Sequence, residues 1–212
     1  MKQDQLASLI ATRMCHDLAS PVGAVANLAD MLRDSTDDQI ADDIGMLCKT
    51  AERGAALLKF FRMVLGSRTA SEPGVPTKTF AELAQCQAIA KRITVRIDAP
   101  VDTLSAEEAQ LLGLLLMVGV SVVGLKGNVL VRLADPVGGG PSVIASGEKV
   151  GLSGDRRALL TGAPPERLSP GLIEFILLAG LLGPSRSTIE IDEQPGTIAL
   201  LVRGQIGESP AA

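Results

Sequence analysis

Arg13-Met14-Cys15-His16-Asp17-Leu18-Ala19-Ser20-Pro21-Val22-Gly23-Ala24-Val25-Ala26-Asn27 lies within residues 4–33, where Pro21 is the only proline. Leu18, Val22, Val25, Leu28 and Leu32 recur at spacings of three and four, the signature of one helical face. Pro21 removes a backbone donor and crowds the carbonyl four residues earlier, so bending or strain is expected just after His16. The pattern breaks at Arg33-Asp34-Ser35-Thr36-Asp37-Asp38, and Thr36 with Gln39 forms an expected capping box for a second helix. In that helix Ile40, Ile44, Leu47, Ala51, Ala55, Leu58, Phe61 and Leu65 again step by three or four. Two long helices joined by a short turn predict an antiparallel hairpin, each arm about 45 Å long at ~1.5 Å per residue. Met46, Leu57, Phe60 and Val64 widen the apolar arc of the second arm beyond what one helix covers. A second copy of the hairpin would cover it, giving a dimeric four-helix bundle; the rest of the same chain is the other cover.

Outward from the hairpin, residues 66–79 turn to Gly, Ser, Thr and Pro, the composition of a linker. The expected organisation is a hairpin over 1–68, a linker over 69–79, an α/β domain over 80–206 and a loose tail over 207–212. Within the second domain the pattern predicts a helix over 80–92, a strand over 93–97 and a long helix opened by the capping box Ser105-x-x-Glu108. Strands follow at 129–133, 142–145, 188–191 and 198–202, with an apolar helix at 172–182. Gln194-Pro195-Gly196 reads as a hairpin turn between the last two strands. The fold class is therefore α+β, with helices layered on a mixed or antiparallel sheet.

Composition narrows the functional classes. With 212 residues, 46% of them apolar, four Phe and neither Trp nor Tyr, the core is one of Leu, Val, Ile and Ala. A net charge of −4 and the lack of a basic stripe argue against nucleic acid as a partner. Cys15, Cys48 and Cys86 are odd in number, without a C-x-x-C pair and with one histidine in the whole chain, so neither a disulfide framework nor a zinc site is expected. They read as small buried hydrophobes in a reducing compartment. Met1–Asp17 is broken by Asp4, Arg13 and Asp17, unlike a secretory leader, and a cytoplasmic location is expected. The uncharged run 109–125 contains Gln110, Ser121 and three glycines and falls short of the ~20 residues of a membrane span, so it reads as a buried helix.

His16 stands two positions before Leu18, a rotation of roughly 200° that places it away from the apolar stripe. A neutral imidazole is a nitrogen nucleophile near neutral pH, and its phosphorylated form is itself a donor. Asp17 is placed to accept the ring N–H, fixing the tautomer and balancing charge as the other nitrogen attacks. Ser20, at i+4, shares the face of His16. The acidic residues Asp30, Asp34, Asp37, Asp38, Asp42 and Asp43 gather at the closed end of the hairpin and read as a solvated loop end.

The run His16-Asp17-Leu18-Ala19-Ser20-Pro21-Val22 resembles the phosphoacceptor box of histidine-kinase dimerisation domains. The longer run from Arg13 to Asn27 is similar to that of ChpT-type bacterial histidine phosphotransferases, and the order of parts agrees. The resemblance implies a dimerising hairpin followed by a degenerate kinase-like ATP-binding domain, with His16 as phosphoacceptor and Asp17 as assisting acid. It also implies receiver domains of a hybrid kinase and of response regulators as partners, and phosphate arriving as an aspartyl phosphate. Arg13, Ser20 and Gly23 are the expected partner-binding residues on the first helix.

A kinase of this kind needs asparagines along one helix and a D-x-G-x-G turn. The frame N-L-L-x-N falls on Gly113-Leu114-Leu115-Leu116-Met117, and the turn falls on Asp135-Pro136-Val137-Gly138-Gly139-Gly140. Both elements have lost the side chains or spacing that hold nucleotide, and the glycine run lacks a phosphate-loop ending. No cofactor of the chain's own is expected, and Mg²⁺ is expected on the partner receiver. An active ATP-dependent histidine kinase and a non-catalytic dimeric scaffold are the alternative readings.

Overall fold

The computed structural model describes residues 3–66, 73–88, 92–136, 139–183 and 187–204. Two helices, α1 (Gln3–Asp34) and α2 (Asp37–Leu65), form the hairpin, joined by Ser35 and Thr36 alone. Thr36 is the N-cap of α2, but its side chain makes no capping hydrogen bond. The turn is held instead by Ser35, whose hydroxyl lies 3.0 Å from the Met31 carbonyl and 2.5 Å from the Asp43 carboxylate. Pro21 stays inside α1, and its ring lies over Gly54 of α2, where a Cβ would meet it at 3.4 Å. The absence of a side chain at residue 54 thus makes room for the proline ring between the arms.

The second part opens with β1 (Val75–Pro76) and α3 (Thr77–Gln85). β1 pairs antiparallel with β3 (Thr103–Leu104), so the end of the stretch read as linker is folded. The helix expected over 80–92 ends sooner, at Gln85, and starts earlier, where Pro76 takes the N-cap position and Thr77 is tied to the 101–102 turn through Val101 and Asp102. Residues 67–72 of the linker and the tail 207–212 lie outside the described residues.

A five-stranded sheet follows, in the order β2 (Arg92–Asp98), β4 (Lys126–Arg132), β5 (Ser142–Ser146), β7 (Thr197–Arg203), β6 (Thr188–Gln194). β2 and β4 run parallel and the other pairs antiparallel. Alternate residues Ile93, Val95, Val129, Val131, Val143, Ala145, Ile198, Leu200 and Val202 are buried, the period-two pattern of a sheet with one covered face. The turn at Pro195–Gly196 joins β6 to β7 as the sequence predicts, with Gly196 at φ +74°. A short helix α5 (Gly154–Leu160) has too few residues to show a helical period in the sequence.

The covering helix is α4 (Ala106–Val123), with the closed capping box of Ser105 and Glu108 at its start. It is long and apolar enough to cross a membrane, but 78% of it is buried inside the protein, which makes it a core helix. One side meets the sheet so closely that a Cβ on Gly119 would come within 2.7 Å of Val129 and Val143. Another meets α2, where a Cβ on Gly113 would fall 2.2 Å from a methyl of Val64. Gln110 adds a hydrogen bond to the Val64 carbonyl, satisfying an acceptor that the last turn of α2 leaves open. Phe60, Phe61 and Val64 are therefore buried against the same chain, and for Phe60 and Val64 the cover is the α/β domain rather than a second hairpin. Elsewhere on the hairpin, Val22, Met31, Ile44, Met46 and Leu58 stay exposed; Val22, Ile44 and Leu58 were expected within the covered stripes, and Met46 within the widened arc of the second arm. Finally, α6 (Ile173–Leu182), preceded by a 3-10 turn at Pro170–Leu172, packs on α4 and touches α1.

Gly113→Ala is expected to destabilise the chain by ~1–3 kcal/mol, the cost of overpacking a rigid contact. Urea denaturation of G113A, V64A and the double variant checks this. The double variant should lose less than the two single losses combined, because Val64→Ala removes the atoms that clash.

Candidate functional site

Helix α1 places Arg13, His16, Asp17 and Ser20 within two turns. The His16 side chain is 84% exposed, as its rotation away from the apolar stripe requires. Met14 and Leu18, on the opposite side of the same turns, pack against the core. Nδ1 of His16 lies 3.0 Å from Oδ1 of Asp17. With Nδ1–H donating to that carboxylate, the lone pair available for attack is on Nε2. The second oxygen of Asp17 accepts a 2.8 Å hydrogen bond from Arg13 Nε–H.

Arg13, expected at the partner surface, is only 20% exposed and is committed to two carboxylates. Besides Asp17, its Nη1 lies 3.6 Å from Oε2 of Glu174, a fully buried residue in the first turn of α6. Burial by itself lowers the Arg13 pKa, but Glu174 and then Asp17 more than offset that, and the guanidinium is held above its ordinary value. Ser20 and Gly23 are exposed on α1, and the Ser20 hydroxyl makes no hydrogen bond among the described residues. Thr12 and Thr50, by contrast, bond back to helix carbonyls.

Beside His16 a cleft of about 460 Å³ runs between α1, α2 and the turn after α3. Thr50, Arg53 and Leu57 of α2 line it together with Cys86 and Gln87. Gln87 Nε2 is buried without a hydrogen-bond partner among the described residues. Burial pushes the Cys86 thiol up, while Arg53 and a backbone hydrogen bond pull it partly back. Of the three cysteines expected to be buried, Cys15 and Cys48 are exposed, since they stand on hairpin faces that the chain itself leaves uncovered. Among the described residues no cluster of His, Cys, Asp and Glu could hold a metal ion.

The two elements that hold nucleotide in kinases carry other contacts here. Gly113 is pressed against Val64, and Leu114 to Met117 are buried. Asp135 bonds Arg132 at 3.2 Å and Ser142 at 3.0 Å, the work of a structural turn; residues 137–138 lie outside the described residues. Sequence reading singles out His16, Asp17, Arg13, Ser20 and Gly23 and passes over Glu174, Arg53, Cys86 and Gln87. Glu174 had a visible signal, being the one charge within the apolar run 172–182.

A family model described as the histidine phosphotransferase C-terminal domain matches residues 78–196. The protein phosphotransferase ChpT of Brucella abortus (strain 2308) is 34% identical over 74 residues, which span 35% of this chain and 34% of that protein. The match thus covers about a third of that relative's length. A solved structure of a bacterial phosphotransferase superposes with a TM-score of 0.74 at 20% identity, covering 96% of this chain and 98% of the other, and shares the fold.

Cys86 is expected to alkylate more slowly than the exposed Cys15, and Arg53→Ala is expected to slow it further, because losing that cation raises the thiol pKa. Iodoacetamide labelling at a fixed, mildly alkaline pH with peptide mass spectrometry reads both effects.

Proposed function

The chain belongs to the histidine phosphotransferase family, and from that premise we propose that His16 accepts a phosphoryl group from an aspartyl phosphate of one receiver domain and passes it to the aspartate of another. The observation that carries the reading is the His16 ring itself, exposed on α1 with one nitrogen tied to Asp17 and the other free. In the forward step Nε2 attacks phosphorus in line, the P–N bond forms, and the bond to the aspartyl oxygen breaks. Asp17 holds the Nδ1 proton and balances the positive charge on the ring. Mg²⁺ held by the receiver would supply the neutralising charge at the equatorial oxygens, and the same step in reverse delivers the group. Both phosphorylated forms are reactive, so positioning supplies most of the catalysis.

Ser20 and Gly23 form the partner-facing edge, where an unpaired hydroxyl and a missing side chain permit close approach. The relay runs without ATP: the Val64–Gly113 contact and the buried 114–117 segment support this, as they occupy the place of the kinase asparagines. The hairpin pairs with a second copy into a four-helix bundle, a reading supported by the exposed Val22, Met31, Ile44, Met46 and Leu58. The work is done in the cytoplasm, where receiver domains and reducing conditions coincide.

Wild-type protein is expected to take labelled phosphate from a phosphorylated receiver, and His16→Gln to take none; transfer to H16Q would overturn the site. Purified chain incubated with labelled ATP alone should remain unlabelled. Sedimentation equilibrium should give twice the chain mass of 22.0 kDa, and Ile44→Lys with Leu58→Lys should reduce it to the single mass.

A further inference from the structure

We infer that Glu174 is a positioning residue for the phosphoacceptor, acting from the α/β domain through Arg13 and Asp17 on the tautomer of His16. The inference rests on the reading of His16 as the nucleophile.

Glu174 and Ser142 are the only polar residues in the buried set, and Glu174 is the only charged one among the described residues. Among the described residues neither of its carboxylate oxygens has a hydrogen bond, and the cation within ion-pair distance is Arg13, at 3.6 Å. A carboxylate in such a place is costly, and an apolar residue of similar volume would serve stability as well or better. Its neighbours on α6, Ile173 and Phe175, are apolar and buried. The position therefore serves something other than packing, and what it reaches is the guanidinium beside the reactive histidine.

The geometry gives that contact a task. Arg13 donates through Nε to one oxygen of Asp17 only, while Nη1 is drawn the other way by Glu174. That division leaves Asp17 Oδ1 to His16 Nδ1. Glu174, by holding Nη1, fixes the tilt of the guanidinium plane; without that hold the plane is released to bring Nη2, which shares an edge with Nε, onto the second oxygen of Asp17, the side-on fork that arginine and carboxylate favour. The Nη2–H then competes with His16 for Oδ1, and the ring loses the partner that fixes its proton on Nδ1. Glu174 thus keeps Nε2 bare from across a domain boundary, and it ties the state of the nucleophile to the docking of the hairpin on the α/β domain.

His16 is the one histidine in the chain, so its ring nitrogens give unambiguous ¹⁵N signals. In the unphosphorylated 212-residue chain the spectrum should show the Nδ1–H tautomer. Glu174→Gln, which keeps shape and removes charge, should move the signals toward Nε2–H, and Glu174→Asp should recover part of the shift. Asp17→Asn provides the full displacement for reference. Phosphorylation of His16 by phosphoramidate should slow about fivefold in E174Q, the worth of a typical hydrogen bond. Ring signals in E174Q identical to wild type, with D17N displaced, would overturn the inference. If E174Q fails to fold, Arg13→Lys decides the matter in the same way, since lysine keeps the charge but cannot span two carboxylates; unchanged signals in R13K overturn the inference. The ring measurement needs neither partner nor phosphate. A chain that shows the tautomer shift yet never exchanges phosphate with receivers would keep the strut and overturn the relay.

Discussion

Helix α4 is squeezed from two sides, and the architecture depends on both contacts. Gly119 admits Val129 and Val143 of the sheet, and Gly113 admits Val64 of the hairpin. Either glycine replaced by a larger residue would push a layer away, because neither contact has space for one more carbon. Stacking sheet, α4 and hairpin this tightly also aligns the first turn of α6 with α1, which brings Glu174 within ion-pair distance of Arg13. The surroundings of His16 thus hang from a packing constraint several layers below it.

Much of this was legible in the sequence. The three-and-four periodicities found both arms of the hairpin, and Ser105 with Glu108 marked the start of α4, because capping and helical faces are local properties. The direction of His16 also followed from angular arithmetic. What periodicity cannot supply is the identity of the surface that covers an apolar stripe: Phe60 and Val64 look alike whether they meet a second hairpin or α4. The same limit hid Glu174, whose partner lies 161 positions away in the chain. β1 and β3 escaped notice because two-residue strands have no pattern, and Cys15 and Cys48 were misplaced because burial of a small residue depends on the neighbouring element.

The site combines an exposed histidine with fixed surroundings. An imidazole that projects freely would sample both tautomers, while one sunk in the core would be out of reach of another protein's active site. Here the ring reaches outward and the atoms that orient it reach inward, from Asp17 to the part-covered Arg13 and the buried Glu174. Exposure and order are reconciled by dividing them between the two sides of one helix.

A protein that phosphorylates its own histidine must carry a nucleotide to it and then withdraw, so its two parts need at least two arrangements. The interlock of Val64 with Gly113, reinforced by Gln110, fastens the two parts of this chain to each other in the arrangement described. On the proposed relay, such a molecule would need no internal clock. Its flux would follow how many charged and uncharged partners surround it, so the direction of traffic would be a matter of mass action, set elsewhere and passed on without delay.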